Sequence, residues 1–278
     1  MDKNKPMKDS FITDLDHTFL RSDLSISDFT KEVWNAHAEH SIMSVATART
    51  FKKTLQFLED VEVNAPMILL DGALIATKEK KIIDVKFIGK SVADEMIDEG
   101  GKMGIYPFVL TLGEGALHED FLYSDILNPH QETVLARYAN DDNLQECHNI
   151  KGTNKNFKIV YMGEEQLLRD LDARLREIFG DEYAYILAPE AYVGCYFLTI
   201  LHKDADKSHG IKSVSEYMNF DLEKLTVFGD NFNDVGMFEL ARHSIAVSNA
   251  QEGVKAKASF VSAHSNDEDA VARYLKSL

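Results

Sequence analysis

Short apolar runs that end in small or polar residues recur near both ends of the chain. They are SFIT (Ser10–Thr13), SIMSVA (Ser41–Ala46), PMILL (Pro66–Leu70), LTVFG (Leu225–Gly229), SIAV (Ser244–Val247) and SFVS (Ser259–Ser262). Runs this short, without apolar–polar alternation, predict strands buried on both faces, as in a parallel sheet. Between them the apolar spacing changes to three and four. Asp28–His40 carries Phe29, Val33, Trp34, Ala36 and Ala38, and Phe51, Leu55 and Leu58 form one helical stripe. Ile211–Met218, Val235–Leu240 and Glu268–Leu278 follow the same pattern. Strand–helix alternation of this kind predicts a doubly wound α/β core.

From about Lys81 to Phe197 the runs lengthen and partly alternate: KIIDVKFIG, YPFVLTLG, NFKIVYMG, YAYILAP and YVGCYFLTILH. Helical stretches at Val92–Met103, Gln131–Tyr138 and Glu165–Ile178 separate some of them. This predicts an antiparallel sheet covered on one face, an α+β module. The expected organisation is a core built from residues 1–80 and 198–278, with 81–197 inserted as a second domain.

Composition narrows the partners. A chain of 278 residues with 45% apolar and 27% charged positions can bury a sizeable core without metal or disulfide. Its net charge of −16 repels nucleic acid and anionic membranes. A small anionic substrate stays compatible if a cation or a few local Lys and Arg reverse the sign in one cleft. Cys147 and Cys195 lack metal-ligand spacing and read as free thiols in a reducing compartment. The polar start MDKNKPMKDS offers no signal peptide, and APMILLDGALIA is short and broken by Asp71. A cytoplasmic protein is expected.

The chemistry gathers at predicted strand ends. Asp14 and Asp16 stand one residue apart, so an extended chain would point both from the carboxyl edge of the sheet. They are either solvated loop acids or a pair with a cation between them. Thr47, with Arg49 nearby, follows the second strand, and Gly229 leads into Asp230, Asn231, Asn233 and Asp234. That second cluster could simply cap a helix. Taken together, up to four acids are expected to converge, and carboxylates without His or Cys select a hard cation such as Mg²⁺. Lys207 in HKDADKSHG is either a surface lysine or a clamp on a phosphate oxygen.

In order, Asp14-Leu15-Asp16-His17-Thr18, Thr47 in VATAR, Lys207 and Gly229-Asp230-Asn231-Phe232-Asn233-Asp234 resemble the four motifs of haloacid dehalogenase-like (HAD) phosphatases. The following IAVSNAQEGVKAKASFV, and Asp71-Gly72-Ala73, resemble the Cof-type, class IIB branch. The resemblance implies a Rossmann-like HAD core with a type B cap domain. It implies Asp14 as nucleophile, Asp16 as general acid and base, and Thr47 and Lys207 as phosphate-binding residues. Mg²⁺ would be held by the Asp14 and Asp230 side chains and the Asp16 carbonyl, with Asn233 and Asp234 supporting. The implied substrate is a small phosphorylated metabolite, such as a sugar phosphate, pyridoxal phosphate or flavin mononucleotide. A phosphomutase, or a phospho-accepting module that does not turn over, are the alternatives.

Three positions depart from the family pattern. His17 stands where Gly is usual, so the turn must avoid positive φ or accept strain. Ala48 replaces a Gly beside Thr47, and Asp71 replaces an Asn and adds charge near the cleft. Arg49 and His17 are candidate substrate contacts. Tyr106, His118, His130, Arg137, His148 and Tyr192 in the middle segment could face either a cleft or solvent.

Overall fold

The computed structural model describes residues 8–115, 117–137, 143–190 and 193–278. The chain forms two compact units: one comprises the residues up to Val85 together with Asp206–Leu278, the other Lys86–Ala205. The first unit begins with β1 (Ser10–Thr13), α1 (Asp28–Ala38), β2 (Ile42–Val45), α2 (Phe51–Phe57), β3 (Met67–Leu69), β4 (Leu74–Ala76) and β5 (Ile82–Val85). The second holds α3 (Lys90–Lys102), β6 (Phe108–Leu112), β7 (Glu119–Ser124), α4 (Pro129–Arg137), β8 (Leu144–Cys147), β9 (Asn156–Gly163), α5 (Glu165–Phe179), β10 (Tyr183–Glu190) and β11 (Cys195–His202). The chain then returns with α6 (Lys207–Met218), β12 (Leu225–Gly229), α7 (Val235–Leu240), β13 (His243–Ala246), α8 (Glu252–Lys255), β14 (Phe260–Val261) and α9 (Ala270–Lys276).

The joints fall later than the expected 80/81 and 197/198. Ile82–Val85 pairs with β4 and so stays with the first unit, while β11 carries the second unit's sheet on to His202.

The first unit's main sheet is parallel, in the order β14-β13-β12-β1-β2. Alternate residues serve opposite layers. Ile12, Leu225 and Val227 pack with Ile211 and Val214 of α6 and Met237 and Phe238 of α7. On the other face Phe11 meets His37 of α1 and Phe228 meets Tyr274 of α9, edge to face. Ser27 caps α1 by accepting the Thr30 N–H, and Trp34, fully buried, donates its indole N–H to the Glu62 carbonyl at 2.8 Å. Trp34→Ala would cost about 3–5 kcal/mol by emptying that contact.

The chain leaves β1 for β2 on one side, while β12 lies on the other. The carboxyl ends of β1 and β12 are therefore adjacent where the winding direction reverses, the place where open α/β sheets bind ligands.

PMILL does not join the parallel sheet as a full strand. Leu70, Asp71 and Gly72 all have positive φ (51°, 56° and 95°), which reverses the chain after Leu69. β3 therefore pairs antiparallel with β4 in a separate three-stranded sheet, which meets the main one at the bridge between Ala46 and Ile68.

In the second unit six strands run in the order β10-β11-β9-β6-β7-β8, antiparallel except for the β7–β8 pair. Helices α3 and α5 cover one face through Ala93, Met96, Ile97, Leu168, Leu171 and Leu175. The opposite face is not bare, as the sequence suggested. Val134 and Leu135 of α4 pack there with Phe108, Val160, Met162 and Cys195. Among the described residues no helix is long and apolar enough to cross a membrane.

Candidate active site

β1 ends at Thr13, and Asp14, still extended, donates its N–H to the Phe228 carbonyl of β12 at 2.9 Å. One strand over, β12 delivers Asp230. Oxygens of Asp14, Asp230 and Asp234 lie within 4.8 Å of one another. Lys207, the first residue of α6, has its side chain 0% exposed and its ammonium between two of these acids. Nζ stands 2.5 Å from Asp14 Oδ1 and 2.7 Å from Asp234 Oδ1. The surface-lysine alternative is thereby removed.

Asp234 is used on both oxygens. Oδ1 takes Lys207, and Oδ2 accepts the N–H groups of Asp230 (2.9 Å) and Asn231 (3.1 Å). These bonds offset the repulsion between Asp230 and Asp234, four residues apart. It also explains Gly229, where an added Cβ would fall 2.6 Å from the Asp234 side chain. Thr18, whose role the sequence left unassigned, donates to Asp230 Oδ1 at 3.0 Å. Its position two residues past Asp16 was the only signal.

Asp16 departs from expectation. The chain bends after Asp14, and the Asp16 carboxylate turns to Arg49, with Nη2 to Oδ1 at 2.5 Å and Nε to Oδ2 at 2.7 Å. Three acids converge, not four, because Arg49 gives the fourth its own cation. Arg49 also stacks over Phe57, 4.4 Å from the ring centroid. His17 takes the left-handed conformation (φ 57°, ψ 9°), so the turn accepts positive φ without glycine.

Thr47 is fully buried beside β3. Its N–H donates to the Ile68 carbonyl (2.8 Å), its carbonyl accepts the Asp71 N–H (3.0 Å), and Oγ1 accepts the Arg49 N–H (3.2 Å). The hydroxyl proton remains for a ligand. Asn233 reaches Asp71, not Lys207, with Nδ2 3.0 Å from Oδ1. Gly72 lets this turn lie against α6, since a Cβ there would sit 2.1 Å from the Asp206 carbonyl oxygen.

Three carboxylates against one ammonium leave the cluster two positive charges short. Burial pushes the Asp14 carboxyl well above its usual range; Lys207 works against this, and Asp234 and Asp230 add to the rise. Burial and Asp234 raise Asp230 to about 6, against the Thr18 hydroxyl, His17 and Lys207. Burial works to lower the Lys207 pKa, but Asp14 and Asp234 outweigh it and keep the ammonium charged. The charge deficit and the all-oxygen donor set fit a divalent hard cation.

The candidates of the middle segment lie in the second unit and do not gather. His118, His130 and His148 each sit beside a separate carboxylate: Asp120, Glu164 and Asp125. The Tyr106 carbonyl accepts from Gln131, Arg137 is exposed, and Tyr192 lies outside the described residues.

A family model for haloacid dehalogenase-like hydrolases matches residues 11–275. The chain belongs to that family. Within the haloacid dehalogenase-like hydrolases it is a Cof-type phosphatase. It is 25% identical over 289 residues to YwtE, a 5-amino-6-(5-phospho-D-ribitylamino)uracil phosphatase of Bacillus subtilis, covering 95% of this chain and 96% of that one. A second phosphatase of the same description and organism, YitU, is 23% identical over 279 residues, covering 95% and 94%. In fold the chain resembles TM0651 from Thermotoga maritima (TM-score 0.81, 24% identity, 98% of both chains). It also resembles the HAD subclass IIB sugar phosphatase BT4131 (TM-score 0.73, 19% identity, 97% and 98% covered).

Proposed function

We propose that this phosphatase is Mg²⁺-dependent and hydrolyses small organic phosphate monoesters through a phosphoaspartate on Asp14. The observation that carries the proposal is the buried cluster at the adjoining ends of β1 and β12, two positive charges short with Lys207 already counted. The Asp14 and Asp230 side chains and the Asp16 carbonyl would hold Mg²⁺. Bound there, Mg²⁺ supplies the charge neutralisation that lets an anionic phosphate approach a carboxylate.

The chain's own groups do the rest. Lys207 holds one oxygen of Asp14 and leaves the other to attack phosphorus. As the Asp14–phosphorus bond forms, the ester P–O bond breaks and protonated Asp16 gives its proton to the leaving oxygen. Water then attacks the phosphorus, Asp16 takes the water's proton, and Asp14 is released with inorganic phosphate. The Arg49 fork bonds both Asp16 oxygens and so fixes the orientation of that side chain. The Thr47 hydroxyl and a remaining Lys207 N–H would bind the transferring oxygens, and Asn233 would support the rim from its bond to Asp71.

Two relatives aligned over nearly the whole chain are named for a phosphorylated ribitylamino-uracil, which makes polyhydroxylated phosphate esters the preferred class. The test is phosphate release over a panel holding that compound, sugar phosphates, pyridoxal phosphate and flavin mononucleotide, with Mg²⁺ and with chelator. Release that needs Mg²⁺ is expected. A panel that yields no inorganic phosphate, or equal release in chelator, would refute the proposal.

A further inference from the structure

The turn that carries Asp16 is closed by the Leu20 N–H to the Leu15 carbonyl at 2.8 Å. It passes through Asp16 (φ −69°, ψ 130°) and left-handed His17, a conformation L-residues seldom hold without help. The help comes from a distant loop. Asn249 Nδ2 donates to the His17 carbonyl at 2.8 Å, and Asn249 Oδ1 accepts the Asn266 N–H at 2.9 Å. Asn266, itself buried, donates from Nδ2 to the Leu20 carbonyl at 3.0 Å. Two linked asparagines thus hold the carbonyls of His17 and Leu20. The same loop reaches the other strand end, where the Gln251 N–H bonds the Asp230 carbonyl (3.1 Å) and Nε2 bonds Asn231 Oδ1 (2.7 Å).

We propose that Asn249 is a positioning residue for acid–base catalysis: its bond to the His17 carbonyl keeps the turn left-handed and so aims Asp16. The proposal rests on the assignment of Asp16 as the acid. Asn249 acts through His17, one residue past Asp16, and small errors of aim are costly in proton transfer.

A misaimed acid has a distinctive consequence. An alkoxide leaves phosphorus only with a proton, whereas p-nitrophenolate leaves without one. The test compares kcat/KM, which reports steps up to phosphoryl transfer, for a sugar phosphate and for p-nitrophenyl phosphate in the full-length protein. Asn249→Ala is expected to lower kcat/KM for the sugar phosphate about 30-fold, less than the ~10²–10⁴-fold that a general acid supplies, because Asp16 is misaimed and not removed. The p-nitrophenyl ester should lose less than about 3-fold, since it needs no such acid. Asn249→Asp, which keeps an acceptor for Asn266 but loses the donor, should show the same split and serves if the alanine variant folds poorly. Adding His17→Gly to Asn249→Ala should restore most of the loss, because glycine holds positive φ unaided.

Equal losses on both esters, or no recovery in the double variant, would overturn the proposal. Asp16→Asn separates the two levels. If Asp16→Asn shows the split and neither Asn249 variant does, Asn249 alone is misassigned. If Asp16→Asn shows no split, the acid assignment falls and the proposal falls with it.

Discussion

Two carboxylate sites in the first unit are built to opposite plans. Asp269, at the start of α9 and itself left-handed (φ 62°), accepts from Arg21 Nη2 (2.8 Å), Ser27 Oγ (2.7 Å) and Thr30 Oγ1 (3.1 Å). Burial would raise its pKa, but these donors outweigh burial and hold the carboxyl below its usual range. Asp14 and Asp230, by contrast, are buried beside other acids and pushed upward. A structural acid receives its compensating charge from the protein. The site acids are left short, and folding alone gives no reason for that. The shortfall marks where a ligand belongs.

The comparison breaks most visibly at Asp14. Asp14→Asn should lower turnover by at least ~10³-fold, about 4 kcal/mol of barrier. In chelator it should melt no lower than the parent, because it removes one of the mutually repelling charges. Near-normal turnover would remove Asp14 as nucleophile. Asp269→Ala should do the reverse. Leaving Arg21 unpartnered is expected to cost about 2–4 kcal/mol in denaturant unfolding, with kcat changed less than about 3-fold at temperatures where the variant is folded.

The pH dependence of stability should also differ in sign. In chelator, native Asp230 binds its proton up to about pH 6, whereas the unfolded chain releases it near 4. The native state therefore holds more protons in that window, and stability falls as pH rises through it by about 2–3 kcal/mol. Asp269 contributes stability above its unfolded value and loses it as pH falls through its lowered native one. Mg²⁺ should raise the melting temperature at pH 7 and do little at pH 4. A flat profile between pH 4 and 6 in chelator would contradict the Asp230 environment. The smallest effect belongs to Thr18→Val, which removes the hydroxyl on Asp230 and should weaken metal binding about 10-fold in a titration.

The parallel core was legible because strands buried on both faces leave short unbroken apolar runs, and four of the six quoted runs became β1, β2, β12 and β13 nearly residue for residue. PMILL was misplaced because its partner is chosen by three positive-φ residues that no hydrophobic pattern displays. The acids were visible as residue types at strand ends. Their partners were not, since Arg49 is 33 residues from Asp16 and Asp230 is 212 from Thr18.

Residue order alone determined the alternation of strand and helix, the family motifs and the side chains available for phosphate chemistry. Only the tertiary structure decided which charges meet: Lys207 enters between Asp14 and Asp234, Arg49 bonds Asp16, and Asn249 reaches back to His17. The reason is physical. Periodicity records which faces are buried, whereas Coulomb and hydrogen-bond energies depend on distances that chain separation does not encode.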